Sequence, residues 1–186
     1  MVIALAVFET VRLSIAAAPA SAGAASVSAA MQTLSSPAGF LLLAPSSWQP
    51  PEAAAGQAAP PESLKQSLVS ADGKETLKVS VAAQTIQSSE AGVFVAIYLE
   101  NVPGASPDLG PPRSIDVPGA GSGAVQTLRY TDGAGVRLAE TVLVAATGTK
   151  LYVVELLTPD DYAVHDAGLL EAVLDSFQVV APATGS

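Results

Sequence analysis

The composition of this 186-residue chain limits both its fold and its chemistry. Its length and its 49% hydrophobic content suffice for one domain with a real core, whereas 17 acidic against 8 basic residues, the basic ones scattered singly, argue against nucleic-acid binding. The sequence has no cysteine and a single histidine, His165, which excludes thiol nucleophiles, disulfides, thiolate metal sites and clusters of imidazole ligands.

The first 37 residues are predicted to be a targeting remnant or an alanine-rich arm, followed by a linker. Met1–Ala22 is largely apolar and ends in Ala20-Ser21-Ala22, which resembles the cleavage site of an export signal. Glu9 and Arg12 interrupt the apolar run and no basic segment precedes it, so a helical arm that packs on a partner is the alternative. Whether Met1–Ala22 is cleaved stays open. Gly23–Pro37 is predicted to be a linker, and no stretch has the roughly 20 uninterrupted apolar residues of a transmembrane helix.

The next part of the chain alternates apolar runs with turn signals. We predict a buried strand at Gly39–Ala44, a loop at Pro50–Pro61, strands at Ser63–Ser70 and Glu75–Thr85, and a helix at Ala91–Asn101. The two neighbouring strands form a hairpin, because the Asp72-Gly73 pair between them favours the mirror-image turn. Apolar residues recur at helical spacing in the predicted helix, although Val93, Val95 and Ile97 would equally suit a strand.

Val102–Gly123 is rich in proline and glycine and poor in large apolar residues. We therefore predict a long irregular loop, and such loops are common places for binding functions. A second candidate contact is the apolar run Val2–Phe8, which is costly to leave in water. The predicted partner-contact residues lie in these two segments and are Val2, Leu5, Phe8, Pro107, Leu109, Pro111 and Arg113.

The last third of the chain carries the strongest architectural signal. We predict strands at Ala124–Thr131, Val136–Thr147 and Lys150–Leu157, joined by turns at Asp132–Gly135 and Thr147–Thr149. Asp166 can cap a following helix whose apolar stripe ends at Phe177, and a short edge strand comes after it. A hairpin covered by a helix is how an α+β domain buries one face of its sheet. Glu140 falls on the apolar face of its strand, and the pattern does not explain it.

Few side chains in the sequence suggest chemistry. His165 lies near Asp161 and Asp166, and this group could bind a divalent cation weakly, but a solvated helix start is the favoured interpretation. Any Ser-His-Asp arrangement would have to use His165, and Gly119–Gly123 lacks the Lys-Ser/Thr ending of a phosphate-binding loop. Trp48 is predicted to be a core anchor. We therefore predict no enzymatic activity and no catalytic, cofactor-binding or metal-binding residues.

Three short motifs, in this order and spacing, resemble those of the PsbP family, the extrinsic lumenal proteins of oxygenic photosystems. They are Gly39-Phe40 with Pro45 and Trp48, the turn and Lys-Leu-Tyr of Gly148–Tyr152, and Leu174–Val179. The resemblance spans Gly39–Val180. It implies an α+β fold, an α/β/α sandwich with a central antiparallel sheet, over residues 38–181, with 182–186 as a tail.

The same resemblance implies a non-catalytic subunit in the chloroplast thylakoid lumen, peripheral to the membrane. Its partners would be core or antenna subunits of photosystem I, or of photosystem II with its oxygen-evolving complex, and it would stabilise the assembly. The family's photosystem II subunit docks through many lysines, whereas this chain has eight basic residues in all, which favours a divergent PsbP-like subunit. A free-standing lumenal assembly factor or ligand-binding module on the same fold is the alternative.

Overall fold

A computed structural model of the protein describes residues 30–51, 63–84, 86–102 and 105–180. These residues form ten strands and three α-helices. The strands are β1 (Met31–Ser36), β2 (Phe40–Pro45), β3 (Ser63–Val69), β4 (Thr76–Ala83), β5 (Ala105–Leu109), β6 (Arg113–Val117), β7 (Gly121–Thr131), β8 (Arg137–Ala146), β9 (Lys150–Pro159) and β10 (Gln178–Val179). The helices are α1 (Ala91–Glu100), α2 (Asp160–His165) and α3 (Ala167–Asp175), and a short 3₁₀ turn at Ser88–Glu90 leads into α1.

Seven strands form the large sheet, in the order β3-β4-β9-β8-β7-β5, with β6 also paired to β7. All of the pairings are antiparallel. Short turns join β3 to β4, β7 to β8 and β8 to β9, so that these sequential strands lie side by side. β8 and β9 lie in the middle and are buried along most of their length, which accounts for their nearly continuous apolar sequence.

The two faces of the large sheet are covered by different elements. On one face, Val142 and Val144 of β8 pack with α1. On the other, Leu143 and Ala145 pack with α3 and with a small sheet of order β1-β2-β10. This alternation follows from the two-residue period of a strand. The predicted α+β class with a central antiparallel sheet is confirmed, and the observed layers are α1, the large sheet, and the small sheet with α3.

Phe177 joins the two sheets. Its ring centroid lies 6.0 Å from that of Phe40 in β2 and 6.0 Å from that of Tyr152 in β9, in tilted arrangements that suit aromatic pairs. All three rings are buried, as is Trp48, which packs in the same core. The predictions that Phe177 and Trp48 are core residues are therefore confirmed.

The predicted linker Gly23–Pro37 is wrong in its last part, because Met31–Ser36 is a strand that pairs with β2 over its whole length. The strand contains Gln32, Thr33 and Ser35 and is only partly buried, so its sequence gives a weak apolar signal. Residues 31–36 thus belong to the folded unit. Residues 1–29, 52–62 and 182–186 lie outside the described residues, so the targeting remnant, most of the Pro50–Pro61 loop and the tail stay predictions.

The predicted irregular loop at Val102–Gly123 is also wrong, because it holds β5, β6 and the start of β7. β5 pairs with one end of β7 and β6 with the other, so both lie at the outer edge of the large sheet. Prolines are tolerated in edge strands, where a missing backbone N–H breaks no ladder bond on the open side. The strands are therefore stabilised by pairing with β7, which local composition does not reveal.

Replacing Phe177 by alanine is expected to lower the free energy of unfolding by about 3 to 5 kcal/mol, because it opens a cavity between the two sheets. Urea denaturation followed by tryptophan fluorescence measures the change, since Trp48 lies in the same core. Val164→Ala is the control, because Val164 is 68% exposed and its truncation should change stability by less than about 0.5 kcal/mol. A loss below about 1 kcal/mol for Phe177→Ala would contradict the closing role of this ring.

Candidate functional site

Parts of the three motifs that carry the sequence resemblance come together where Gly39 lies near Lys150 and Val180, whereas Trp48 adjoins the bridge between Gln49 and Val69, towards the opposite end of β9. Lys150 Nζ donates a hydrogen bond of 2.7 Å to the carbonyl oxygen of Ala38, and the Tyr152 hydroxyl lies 3.5 Å from the same oxygen. The backbone N–H of Val180 donates to Gly39 O at 3.0 Å. The hydrogen bond between Lys150 and Ala38 therefore connects the small sheet to the β8–β9 hairpin, which is a structural role.

A cleft of about 400 Å³ lies at this junction. It is lined by Gly119, Thr147, Thr149, Lys150, Tyr152, Val179 and Val180. Its polar part is a lysine, two threonines and a tyrosine, and burial raises the pKa of the Tyr152 hydroxyl above its usual range. The cleft can accept a polar group of a ligand, although its Lys150 ammonium is already engaged by Ala38 O.

Gly119 is in close contact with the last strand at the mouth of this cleft. Its φ of +82° lies in the left-handed region that favours glycine. A Cβ atom at this position would lie 1.9 Å from the carbonyl oxygen of Val179. The backbone N–H of Val179 donates to Pro118 O at 2.8 Å, so the glycine lets the β6–β7 turn and β10 approach each other.

Four of the predicted contact residues lie along the outer edge of the large sheet. Leu109 ends β5 and is 39% exposed, Pro111 is exposed between β5 and β6, and Arg113 is exposed at the start of β6. Arg113 Nη2 lies 3.9 Å from Glu171 Oε1 of α3, a pair that solvent screens. Pro107 lies in β5. Val2, Leu5 and Phe8 fall outside the described residues.

Buried carboxylates lie beneath α1, where they are held by phenol groups. The hydroxyl of Tyr98 on α1 donates to Glu155 Oε1, and Lys78 Nζ lies 3.8 Å from Glu155 Oε2. Glu140 accepts a hydrogen bond of 3.3 Å from the hydroxyl of Tyr130 on the neighbouring strand. This partner explains Glu140 on an apolar face, since a buried charge is tolerated when it is hydrogen-bonded. Tyr98 and Glu155 in turn fix α1 on the sheet.

Helix α2 is held by charged groups on two sides. Lys74 Nζ donates to the Tyr162 hydroxyl at 2.7 Å and lies 4.8 Å from the centre of its ring. Arg129 Nε donates a hydrogen bond of 2.8 Å to Asp160 Oδ1, and Arg137 Nε forms an ion pair of 2.8 Å with Asp160 Oδ2. Within the described ranges, no group of three or more His, Asp or Glu side chains is arranged to hold a metal ion.

Glu75 is a buried carboxylate at the junction between the β3–β4 hairpin and the helices α2 and α3. Its residue is 9% exposed, and its Oε1 has no hydrogen-bond partner in the part of the chain that the structure describes. Burial, followed by the nearby charges of Asp166 and Asp72, raises the pKa of Glu75 to about 7. Asp72 is held in the hairpin turn by the hydroxyl of Ser70 at 2.6 Å.

The outer face of α1 is a further exposed surface that the predicted contact residues do not include. Val93 on this face is 65% exposed. A signal for it exists in the sequence, because Ala91–Glu100 has Glu100 as its only charged residue. None of the helices in the described ranges has the length and hydropathy to cross a bilayer.

Comparison with known proteins identifies the fold. No family model and no curated protein matches the sequence. Among solved structures, the cyanobacterial PsbP of Synechocystis sp. PCC 6803 aligns with a TM-score of 0.57 and 18% identity, over 86% of this chain and 98% of that one. LpqN of Mycobacterium tuberculosis, which is involved in cell envelope biogenesis, aligns with a TM-score of 0.47 and 16% identity, over 83% of this chain and 92% of that one. The chain therefore has a PsbP-like fold.

Gly119→Ala is expected to cost more stability than Gly73→Ala, although both residues have positive φ. Gly73 has no atom within 4 Å of an added Cβ, so alanine there adds backbone strain of about 1 to 2 kcal/mol and no collision. At Gly119 the added Cβ also displaces Val179, and a strained backbone hydrogen bond should add about 1 to 2 kcal/mol. Equal losses of stability for the two variants, measured by thermal or urea denaturation, would show that β10 moves away from the added Cβ at no cost.

The stability of the protein is expected to contain a component that falls as pH rises from about 4.5 to about 7, because the folded pKa of Glu75 lies above its value of 4.5 in an unfolded chain. The folded state then binds more protons than the unfolded state in this window. The stabilisation is complete below pH 4.5 and lost above pH 7, and is on the order of 3 kcal/mol.

Urea denaturation at several pH values, for the natural protein and for Glu75→Gln, isolates this component. Because the glutamine does not titrate, the difference between the two stabilities should change with pH and reach a plateau above about pH 7. Groups that do not interact with Glu75 contribute equally to both proteins and cancel, so the remaining pH dependence belongs to Glu75 and to Asp72 and Asp166, whose charges act on it. A pH-independent difference would contradict the assignment to Glu75.

Proposed function

We propose that this protein is a non-catalytic extrinsic subunit of a photosystem, and that it stabilises the assembly from the lumenal side of the thylakoid. The observation that carries the proposal is the PsbP-like fold, which aligns with a cyanobacterial PsbP over 98% of that chain. A fold can host several functions, so the proposal also rests on what the surface and the charged groups do.

Three charged or hydroxyl side chains hold elements of the fold together. Lys150 binds the Ala38 carbonyl, Tyr98 binds Glu155, and Lys74 binds Tyr162. These contacts join the small sheet, α1 and α2 to the large sheet. Such an arrangement supports a scaffold that presents surfaces to a partner.

The exposed surface and the net charge support association with a protein partner. Leu109, Pro111 and Arg113 give the outer edge of the large sheet a mixed apolar and polar character. A net charge of −9 steers the chain towards basic surfaces and away from acidic ones. The partner would be a core or antenna subunit, of photosystem I, an antenna assembly or photosystem II.

A lumenal assembly factor or ligand-binding module on the same fold is the second candidate. The observation in its favour is the cleft of about 400 Å³ beside Lys150 and Tyr152, which is within the size range of small-molecule sites. A permanently bound subunit should be recovered mainly in purified complexes, whereas a transiently bound factor should be recovered mainly as free protein.

The test is to isolate thylakoid complexes from the source organism and couple carboxylates to partner lysines with a zero-length crosslinker. Exposed Asp108 and Asp116 lie on the outer edge and are suitable reporters. Mass spectrometry of the same sample identifies the mature N-terminus. We expect recovery in a photosystem or antenna complex, with crosslinks from the outer edge or from Val2–Phe8. Recovery solely as a free monomer, without such crosslinks, would reject the subunit and favour the second candidate.

A further inference from the structure

Helix α1 is apolar on the side that faces solvent as well as on the side that faces the sheet. Ala91, Val95 and Leu99 are buried against the large sheet. At 100° per residue, the opposite side of the helix carries Val93 and Ile97. Val93 is 65% exposed, and Ile97 is half-buried. A surface helix normally presents polar residues to water, so this side lacks the expected character.

Helix α3 provides an internal comparison, because it covers the other face of the same sheet. Its buried side is formed by Leu170, Val173 and Leu174. Its exposed residues are Ala167, Gly168, Glu171, Ala172 and Asp175, so its solvent side carries two carboxylates and no large apolar side chain. A helix in this fold therefore does not need a large apolar side chain on its solvent side. Of the two helices, only α1 has one.

Acidic residues flank the outer face of α1. Glu90 precedes the helix, Glu100 is its last residue, and both are exposed. The helix itself contains no lysine or arginine. The face is therefore an apolar centre with a negative group at each end, and its electrostatic complement is an apolar patch with positive groups around it.

The geometry points to the outer face of α1, made of Val93, Ala96 and Ile97 between Glu90 and Glu100, as a docking surface for a protein patch that is apolar at its centre and rimmed by lysine or arginine. This inference rests on the proposed function and names the surface and the chemistry of the partner.

Charge decides between this partner and two other occupants. A second copy would place α1 on α1, and either helix orientation would bring Glu90 or Glu100 against another glutamate with no basic residue of the helix between them. Like charges placed opposite each other are destabilising. An anionic lipid surface would repel the same two groups and the net charge of −9. A basic-rimmed protein surface satisfies both the apolar centre and the flanking glutamates.

The first experiment compares binding to purified photosystem core complexes stripped of their extrinsic proteins by a salt wash. Val93→Gln removes the exposed apolar group without adding charge, and should weaken binding about tenfold. Val164→Gln is the matched control, because Val164 is a similarly exposed valine on α2, and should bind like the natural protein. The Glu90→Gln, Glu100→Gln double variant should weaken binding and reduce its dependence on salt. Circular dichroism confirms that all variants are folded.

A second experiment is independent of photosystems. The natural protein, labelled with ¹⁵N, is titrated with a model helical peptide of leucine and lysine, and separately with its leucine and glutamate counterpart. The lysine peptide should shift amide signals of α1, the glutamate peptide should not, and Val93→Gln should weaken the effect. Anionic lipid vesicles, added as a third probe, should leave these signals unchanged.

The outcomes separate the inference from the proposed function. If the complexes bind the protein but Val93→Gln binds as tightly as Val164→Gln, the docking surface is wrong and the subunit function stands. If no photosystem complex binds but the lysine peptide shifts α1, the subunit function fails and the docking surface stands. Signals that move away from α1, move equally with both peptides, or move with vesicles would overturn the inference. A concentration-dependent dimer through α1 would do the same.

Discussion

The packing of Phe177 between Phe40 and Tyr152 is the contact on which the rest of the structure depends, because it joins the small sheet to the large one. Phe177 follows α3 and precedes β10, so its position also fixes the helix and the last strand. Ser176 supports it, since its Oγ accepts a hydrogen bond of 2.9 Å from Leu43 N and donates one of 2.6 Å to Val173 O. The C-terminal end of the domain thus closes the layer that the chain began with β1 and β2.

The buried polar contact beneath α1 has a consequence for the opposite side of that helix. Tyr98 directs its hydroxyl to Glu155 in β9, while Val95 and Leu99 pack on the sheet. Turning the helix to bury Val93 would pull Tyr98 away from Glu155 and leave a buried carboxylate with one fewer hydrogen bond, which is costly. The phenol and carboxylate therefore set the rotation of α1, and the exposure of Val93 follows from it.

The sequence predicts those elements whose signals are local. The β7–β8 and β8–β9 hairpins agree with their period and turn residues, because short-range pattern and tertiary contacts point the same way. Helix α3 agrees with its predicted apolar stripe, although Asp166 forms no side-chain cap hydrogen bond at its start. The sequence does not predict three of the strands, β1, β5 and β6, because they are stabilised by pairing with neighbouring strands. Proline, glycine and exposed polar residues also weaken the alternating apolar pattern in these segments. The position of Glu140 on an apolar face could not be explained from the sequence, because its partner Tyr130 lies ten residues away on the neighbouring strand. The outer face of α1 could not be predicted, because the helix is apolar on all sides and its sequence does not show which side packs on the sheet.

The fold and the surface of this protein carry separate information. The chain shares its fold with a cyanobacterial PsbP to which it is only 18% identical, so the same fold is reached by widely different sequences. A chain with 8 basic and 17 acidic residues is poorly suited to docking through its own lysines. Charge complementarity therefore favours glutamates and aspartates on this chain and basic groups on a partner. In α1, the flanking residues Glu90 and Glu100 provide such negative groups near Val93, the most exposed apolar side chain of the helix.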